Sequence, residues 1–420
     1  MPSSLLIFSF FNSFTSRHKN LCTLWISAML LLGLAQSANA QVVVQSEVTK
    51  SFQAAQEALR AGQAETAIAL AQQTLLIPGI TALEKPLVQR TLAIAALEVK
   101  NFILAASTLE DLIQEMPEGT PVEQKLPLIE SLLNASQQAK DLPKLVNWAR
   151  IYLKLEGDNP SVRPVLIQTL SVLNRHDEVV QEVKEKIRLD ELAKLKTPEN
   201  DLRLLAFSQR QMKDNEAYNT TLKILLQNYP SKAYWSEVIA RLVRQANFNL
   251  RFELDLYRIL EVTGNLVDTS EYIDMATLAL KAGLPAEAAR VVELAYAAGA
   301  MGKGKDAADH QKFRQQIQLD VKEDEKTLPA LEKSAKDANT LASLAKVYAS
   351  QQKWDQSQAL YSKALAMGGL RREAETRLHA GIALHKSGQK AEAVKMWDSI
   401  QGEVTAVDLA QLWKTWQGQN

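Results

Sequence analysis

The sequence predicts an all-α protein, a superhelical solenoid of about ten helix-turn-helix repeats that ends in a C-terminal capping helix. Three observations lead to this prediction. The composition is 46% hydrophobic but only 6% aromatic, and Ala, Leu, Gln, Glu and Lys dominate it, as is typical of stacked helices. Apolar residues recur at spacings of three and four, and inter-helix turns recur about every 34 to 40 residues. The sequence also lacks the sustained period-two alternation that would indicate strands.

The N-terminal segment predicts export from the cytoplasm. A basic stretch precedes the apolar run 21–35, and Ala38 and Ala40 place small residues where signal peptidase requires them, so we expect residues 1–40 to be a signal peptide. An uncleaved anchor is the alternative, but a helix of about fifteen residues reaches about 22 Å, against a hydrocarbon core of about 30 Å. The single cysteine, Cys22, lies in this segment. The exported chain would therefore contain neither disulfides nor thiolate sites.

Two neighbouring segments near the C-terminus carry the clearest repeats. In residues 344–365 a polar turn separates two helical stripes, and residues 380–400 repeat this scheme with Gly381 and Trp397. Small residues recur because two helices cross closely only where no bulky side chain intervenes. These units resemble the tetratricopeptide repeat. The resemblance implies a right-handed superhelix whose inner groove is lined mainly by the first helix of each pair.

Similar turns can be followed back along the chain, which gives the predicted organisation. We expect N-terminal repeats over 41–235, C-terminal repeats over 236–400, and a capping helix and tail over 401–420. The units around the turns at Asn174, Asn247 and Glu323 have the weakest pattern, and their register stays open. The predicted inter-helix turns lie near Gly62, Lys100, Lys140, Asn174, Lys213, Asn247 and Gly283, with a degenerate turn near Glu323.

Trp397, Trp413 and Trp416 allow two interpretations. They could form an aromatic platform for carbohydrate, or they could pack a closing helix over residues 407–416 against the last repeat. We favour the closing helix, because the open end of a solenoid must be covered.

The stretch 297–310 resembles a phosphate-binding loop only superficially. Gly299, Gly304 and Lys305 have the required spacing, but Asp306 stands where the motif needs a hydroxyl, and a helix rather than a strand precedes the loop. We therefore interpret the glycines as loop residues between repeats.

Other enzymatic and ligand-binding signatures are weak in this sequence. His379 and His385 lie six residues apart on one predicted helix and point to different sides, so we expect surface or groove positions for them. The sequence contains no zinc-binding histidine motif and no nucleophile elbow. Lys and Arg together number 48, as do Asp and Glu, which argues against a nucleic-acid partner. We predict a non-enzymatic protein without cofactor or metal.

Four arginines are candidates for a partner-binding groove: Arg203, Arg210, Arg241 and Arg244. They belong to the first helices of two successive predicted repeats, and arginines in such a groove could clamp a carboxylate or an acidic peptide. The alternative is that they pair with nearby acidic residues. The acidic candidates are Glu199, Asp201 and Glu237. The family's peptide clamp also uses an Asn where Phe207 stands, so that specific clamp is not expected.

The second half of the chain carries a finer resemblance. Three features carry it: Tyr234-Trp235 at the start of a repeat, the turn Ala-Gly-Leu-Pro-x-Glu-Ala-Ala at 282–289, and the extra Gly-Gly-Leu at 368–370. In these features the chain is similar to periplasmic tetratricopeptide-repeat proteins associated with TonB/ExbB/ExbD systems. This resemblance implies a periplasmic interaction scaffold that serves outer-membrane uptake and binds TonB, ExbB or ExbD. An adaptor or assembly factor for exported polysaccharide or cell-wall machinery is the alternative. An enzyme or ligand carrier on a helical-repeat frame is less expected.

Overall fold

The computed structural model describes residues 46–419. The predicted signal peptide, with Ala38 and Ala40, lies outside these residues. Within them the chain forms twenty α-helices and no strand, so the all-α fold class is confirmed. The helices belong to two compact units, residues 46–139 and residues 140–419. The predicted boundary at 235/236 lies inside the second unit, and the predicted cap over 401–420 belongs to that unit.

The first unit contains five helices, each packed against the next. Small side chains such as Ala55, Ala67 and Ala95 are fully buried between them and let the helix backbones approach closely. The helices are α1 (Glu47–Arg60), α2 (Ala64–Leu75), α3 (Glu84–Glu98), α4 (Phe102–Gln114) and α5 (Val122–Gln138).

The second unit contains fifteen helices, and again each packs against its successor. They are α6 (Leu142–Lys154), α7 (Val162–Val172), α8 (His176–Leu192), α9 (Glu199–Gln211), α10 (Asn215–Asn228), α11 (Lys232–Val243), α12 (Glu253–Val262), α13 (Thr269–Lys281), α14 (Pro285–Ala297), α15 (Ala307–Ser334), α16 (Ala338–Ser350), α17 (Trp354–Met367), α18 (Glu373–Lys386), α19 (Lys390–Asp398) and α20 (Val404–Gln419). Among residues 46–419, no helix has the length and apolarity needed to span a membrane.

A common turn ends the first helix of most pairs. One residue adopts the left-handed backbone conformation, and the N–H of the next residue bonds the carbonyl five residues earlier, as in the bond from Asp214 to Gln209 at 2.9 Å. The side chain of Asp214 then accepts a hydrogen bond from the N–H of Ala217 and caps the following helix. Six predicted turns carry such a left-handed residue, with φ between 54° and 74°: Gly62, Lys100, Lys140, Asn174, Lys213 and Gly283.

The two remaining predicted turns differ from this pattern. Near Asn247 the chain forms a loop and then a 3-10 turn (Leu250–Phe252) that leads directly into α12. The turn predicted near Glu323 is wrong, because α15 runs unbroken for 28 residues through that position. Its sequence contains no Gly or Asn that could adopt the left-handed conformation at low cost, and it is rich in Gln, Glu and Lys, which favour helix. α15 therefore stands as a single long helix between two helix pairs.

The last helix, α20, connects distant parts of the second unit. It packs on α18 and α19, as predicted for a capping helix, and it also contacts α10 and α12. The side chain of Gln419 donates to the carbonyl of Leu226 at 2.8 Å, and the indole of Trp416 donates to the carbonyl of Val262 at 3.0 Å. We call this contact of α20 with α10 and α12 the closure.

The closure is also hydrophobic. Trp413 is 1% exposed and belongs to one buried core that includes Trp235 and Ile239 of α11 and Leu256 of α12. The rings of Trp397 and Trp413 stack at a centroid distance of 6.2 Å, so the predicted packing role of these tryptophans is confirmed.

Gly381 provides a direct test of packing between α18 and α19. A Cβ atom at this position would lie 2.2 Å from the indole nitrogen of Trp397. We expect Gly381→Ala to lower the free energy of unfolding by about 1–3 kcal/mol, because the buried ring must move. Urea unfolding followed by tryptophan fluorescence measures this change.

Gly418 is the matched control, because it is also helical but has open space where a Cβ would stand. Gly418→Ala should leave stability unchanged or raise it by less than about 1 kcal/mol. Equal effects of the two substitutions would contradict the tight crossing at Gly381.

Candidate functional site

The predicted groove arginines occupy α9 and the end of α11. Arg203 and Arg210 lie seven residues apart on α9, which places them on one helix face. Both are exposed, and neither makes an ion pair or hydrogen bond with another described residue. Arg244 caps the C-terminal end of α11 and is exposed in the same way. These three guanidinium groups are available to a partner.

Arg241 is held by its neighbours, as the alternative interpretation proposed. Its Nε donates to Glu237 at 2.9 Å, and a terminal nitrogen donates to Asn219 at 3.1 Å. Its guanidinium lies 4.1 Å from the centre of the Tyr218 ring, a cation–π distance. The other two suggested acidic partners are engaged elsewhere. Glu199 accepts a hydrogen bond from Tyr234, and Asp201 lies near Lys186.

Two tyrosines complete the surface that contains these arginines. The Tyr234 hydroxyl donates to Glu199 at 2.7 Å, which joins α11 to α9. Burial and this hydrogen bond raise the pKa of Tyr234 to about 12, while the charge of Arg203 opposes the shift. Burial likewise raises the pKa of Tyr218, and Arg210 acts against that shift. We call this surface of Arg203, Arg210, Arg241, Arg244, Tyr218 and Tyr234 the arginine face.

A second polar cluster lies inside the second unit, with Arg258 of α12 at its centre. The Arg258 guanidinium donates to both carboxylate oxygens of Glu287 on α14, at 2.8 and 2.6 Å, and to Asp255 at 2.7 Å. Asp255 also bonds His379 of α18 at 2.8 Å. Their side chains are between 4% and 18% exposed. Buried charges of this kind require such pairing.

The carboxylates of this cluster are held ionised. Burial by itself would raise the pKa of Asp255, but the charges of His379 and Arg258 and their hydrogen bonds outweigh it and hold the pKa well below its usual range. The same balance lowers the pKa of Glu287, where Arg258 supplies the opposing charge. Glu375 also has a lowered pKa, despite burial, because of nearby His379 and its ion pair with Lys346 of α16.

A cleft of about 120 Å³ adjoins this cluster. Its wall includes the charged side chains of Arg258, Glu261, Glu287, Arg290, Lys346 and Lys386, together with Trp354, Tyr361 and Trp413. These residues come from α12, α14, α16, α17, α18 and α20, so the closure helix supplies part of the wall. Arg290 bonds both oxygens of Glu261.

Comparisons with known proteins add little to this geometry. No protein-family model and no curated protein matches the chain. Among solved structures, the chain is similar to a tetratricopeptide repeat protein from Parabacteroides merdae, with 10% identity, a TM-score of 0.29, and coverage of 80% of this chain and 98% of that one. It is also similar to the TPR2AB domain of yeast Sti1, with 11% identity, a TM-score of 0.25, and coverage of 89% and 98%. At these values the comparisons say nothing about partners or activity.

The histidine positions expected from the sequence are wrong. His379 is bonded within the buried cluster, with 10% of its side chain exposed. His385 is 9% exposed, lies between Trp397 and Trp416, and bonds Gln417 at 2.7 Å. The six-residue spacing correctly predicted that the two rings point to different sides of α18. It could not show that α12 and α20 cover these two sides.

Two further predictions concern the stretch 297–310 and metal binding. The stretch 297–310 joins α14 to α15, and Gly299 and Gly304 have positive φ, so it is a loop between two helices as predicted. Within residues 46–419, no three His, Cys, Asp or Glu side chains are arranged to hold a metal ion.

Asp255→Asn tests the buried cluster. The folded pKa of Asp255 is depressed, so its contribution to stability is present above the unfolded pKa of about 4 and is lost as pH falls through the folded pKa. We expect Asp255→Asn to cost about 3 kcal/mol at pH 7, because it leaves Arg258 and His379 under-paired. The difference from the unmodified protein should shrink below about pH 4.

Tryptophan fluorescence in urea at pH 7, 5 and 3 measures this, since every tryptophan of residues 46–419 lies in the second unit. Asp309→Asn is the control, because Asp309 and its partner Lys312 are both more than three-quarters exposed. This substitution should change stability by less than about 1 kcal/mol. A pH-independent loss in Asp255→Asn would contradict the electrostatic role.

Proposed function

We propose that this chain is a non-enzymatic protein-interaction scaffold of the bacterial periplasm that binds an acidic segment of a partner at the arginine face. The proposal rests on two exposed guanidinium groups, those of Arg203 and Arg210. They lie on one side of α9 and have no partner among the described residues. Guanidinium groups bind carboxylates through paired, charge-assisted hydrogen bonds. Most other arginines of the second unit already have carboxylate partners, as in Arg150, Arg163, Arg258, Arg290 and Arg314.

The surroundings of these arginines favour a peptide ligand. Phe207 lies between them on α9, is 38% exposed, and packs edge-on against His176 at a centroid distance of 5.6 Å. Tyr234 adds a partly exposed aromatic ring with a polar tip, whereas Tyr218 is 8% exposed and lies under the guanidinium of Arg241. Aromatic side chains next to arginine are the composition typical of protein-binding hot spots. A segment in which acidic and apolar residues alternate fits this surface best.

The compartment and the partner rest on the sequence. The N-terminal segment supports export. The sequence pattern of the second half, in which Tyr234-Trp235 begins a repeat, supports an accessory role in a TonB-type energy-transduction complex. TonB, ExbB, ExbD or a TonB-dependent receptor is therefore the partner we propose.

A charge reversal on α9 tests the proposal. Arg203→Glu with Arg210→Glu should reduce capture of the partner from detergent-solubilised envelope at least tenfold, because two attractive charges become repulsive. The helix content should not change, since neither side chain bonds another described residue. Affinity capture followed by quantitative mass spectrometry measures the bound proteins.

Lys322→Glu with Lys326→Glu on α15 is the control with the same change in net charge. Both lysines are exposed, and Lys326 pairs only with the exposed Glu323. Loss of capture in both variants would indicate a general charge effect and contradict the arginine face. Capture of polysaccharide or cell-wall machinery in place of TonB components would contradict the proposed partner.

A further inference from the structure

Four cations line the cleft of the second unit: Arg258, Arg290, Lys346 and Lys386. Three of them are paired with carboxylates, Arg258 with Asp255 and Glu287, Arg290 with Glu261, and Lys346 with Glu375. Lys386 makes no ion pair with any described residue, and its ammonium group lies 5.4 Å from the centre of the Trp416 ring. An anion entering the cleft would therefore find a cation that the protein itself leaves without a carboxylate.

The wall also contains hydrogen-bonding groups that the protein leaves unused. The indole nitrogen of Trp413 is buried without a partner in the described chain, and Trp413 is 1% exposed. The hydroxyl of Tyr361 makes no hydrogen bond with the described residues, although Tyr361 is also 1% exposed. Buried polar groups in folded proteins are normally satisfied, so the indole nitrogen of Trp413 is unusual, as is the Nδ1 of His379, which also lines the cleft and is buried without a partner among the described residues. A ligand with acceptor oxygens would satisfy them.

The rest of the wall limits the size and shape of the ligand. Val262, Ala349, Trp354 and Ile382 give it an apolar part. A volume of about 120 Å³ is far below the 300 Å³ or more of a typical drug-sized site. α20 contacts α10 and α12 as well as α18 and α19, so the cleft is not an open groove for an extended peptide. These features suit a short, doubly charged molecule with an apolar middle.

We propose that this cleft binds a small free dicarboxylate with a short apolar spacer. Lys386 receives one carboxylate, and Lys346 and Arg290, which keep about a third of their side-chain surface exposed, lie in the same wall. Tyr361 and Trp413 donate hydrogen bonds, and the methylene spacer contacts the apolar part. This site is separate from the arginine face and does not depend on the function proposed there.

Glutarate is the probe that tests this site. Isothermal titration of the purified protein at constant ionic strength should show saturable binding of glutarate. Butyrate, with one carboxylate, should bind at least tenfold more weakly, and the neutral diamide glutaramide should not bind. Binding of glutarate should also raise the melting temperature, because the ligand selects the folded state.

Two variants locate the binding without disturbing a described hydrogen bond. Lys386→Gln removes the unpaired charge, and Tyr361→Phe removes only the unbonded hydroxyl, so both should fold normally. We expect at least tenfold weaker glutarate binding in Lys386→Gln and at least threefold weaker binding in Tyr361→Phe. Lys363→Gln is the matched control, because this lysine lies on α17 near Tyr361 in sequence but is exposed and outside the cleft wall.

Several results would overturn the proposal. These are the absence of saturable glutarate binding, binding that Lys386→Gln leaves unchanged, or equal weakening by Lys363→Gln. A further arm uses an acetylated peptide with a C-terminal Glu, which presents two carboxylates on a polypeptide. Binding of this peptide without binding of glutarate would assign the cleft to a protein terminus and also contradict the proposal.

Discussion

The second unit depends on the closure of α20 against α10 and α12. Stacked helical repeats normally contact only their neighbours, and their stability is close to a sum of local terms. Here hydrogen bonds join residues 193 and 154 positions apart, Gln419 to Leu226 and Trp416 to Val262. One buried core follows the same path through α9 to α12 and α18 to α20. The helices between these two regions are therefore fixed at both ends rather than at one.

The buried charges around Arg258 make the packing of helices in the second unit specific. Apolar surfaces of similar shape can slide past one another with little change in energy, whereas Arg258 of α12 can bond both carboxylate oxygens of Glu287 on α14 in only one alignment of these helices. The bond between Asp255 and His379 fixes α18 against α12 in the same way. Such groups contribute little net stability compared with an apolar core. Their effect is to select one packing of α12 against α14 and of α12 against α18, which lies more than 100 residues later in the sequence.

The sequence predicted what is local and missed what is long-range. The turns at Lys100, Lys213 and Gly283 could be placed because each is specified by a few adjacent residues. The error at Glu323 arose because the repeat period was extended into a segment that contains no Gly or Asn and is rich in residues that favour helix. The buried cluster carried no signal, since Asp255, Arg258, Glu287 and His379 form no motif and meet only after folding. The sequence singled out four arginines as groove candidates, but only the structure separates the paired Arg241 from the unpaired Arg203 and Arg210.

The closure also determines the order in which the second unit can fold. Helix pairs with short turns form mainly local contacts, and such contacts form quickly. The closure must wait for α20, which is the last helix of the unit along the chain. Until then the parts of α10 and α12 that α20 contacts, and the indole of Trp235 that bonds Gln419, remain open to solvent. A chain whose α20 has not yet docked therefore exposes an apolar surface that can bind other chains. Aggregation is most favoured during this late step of folding.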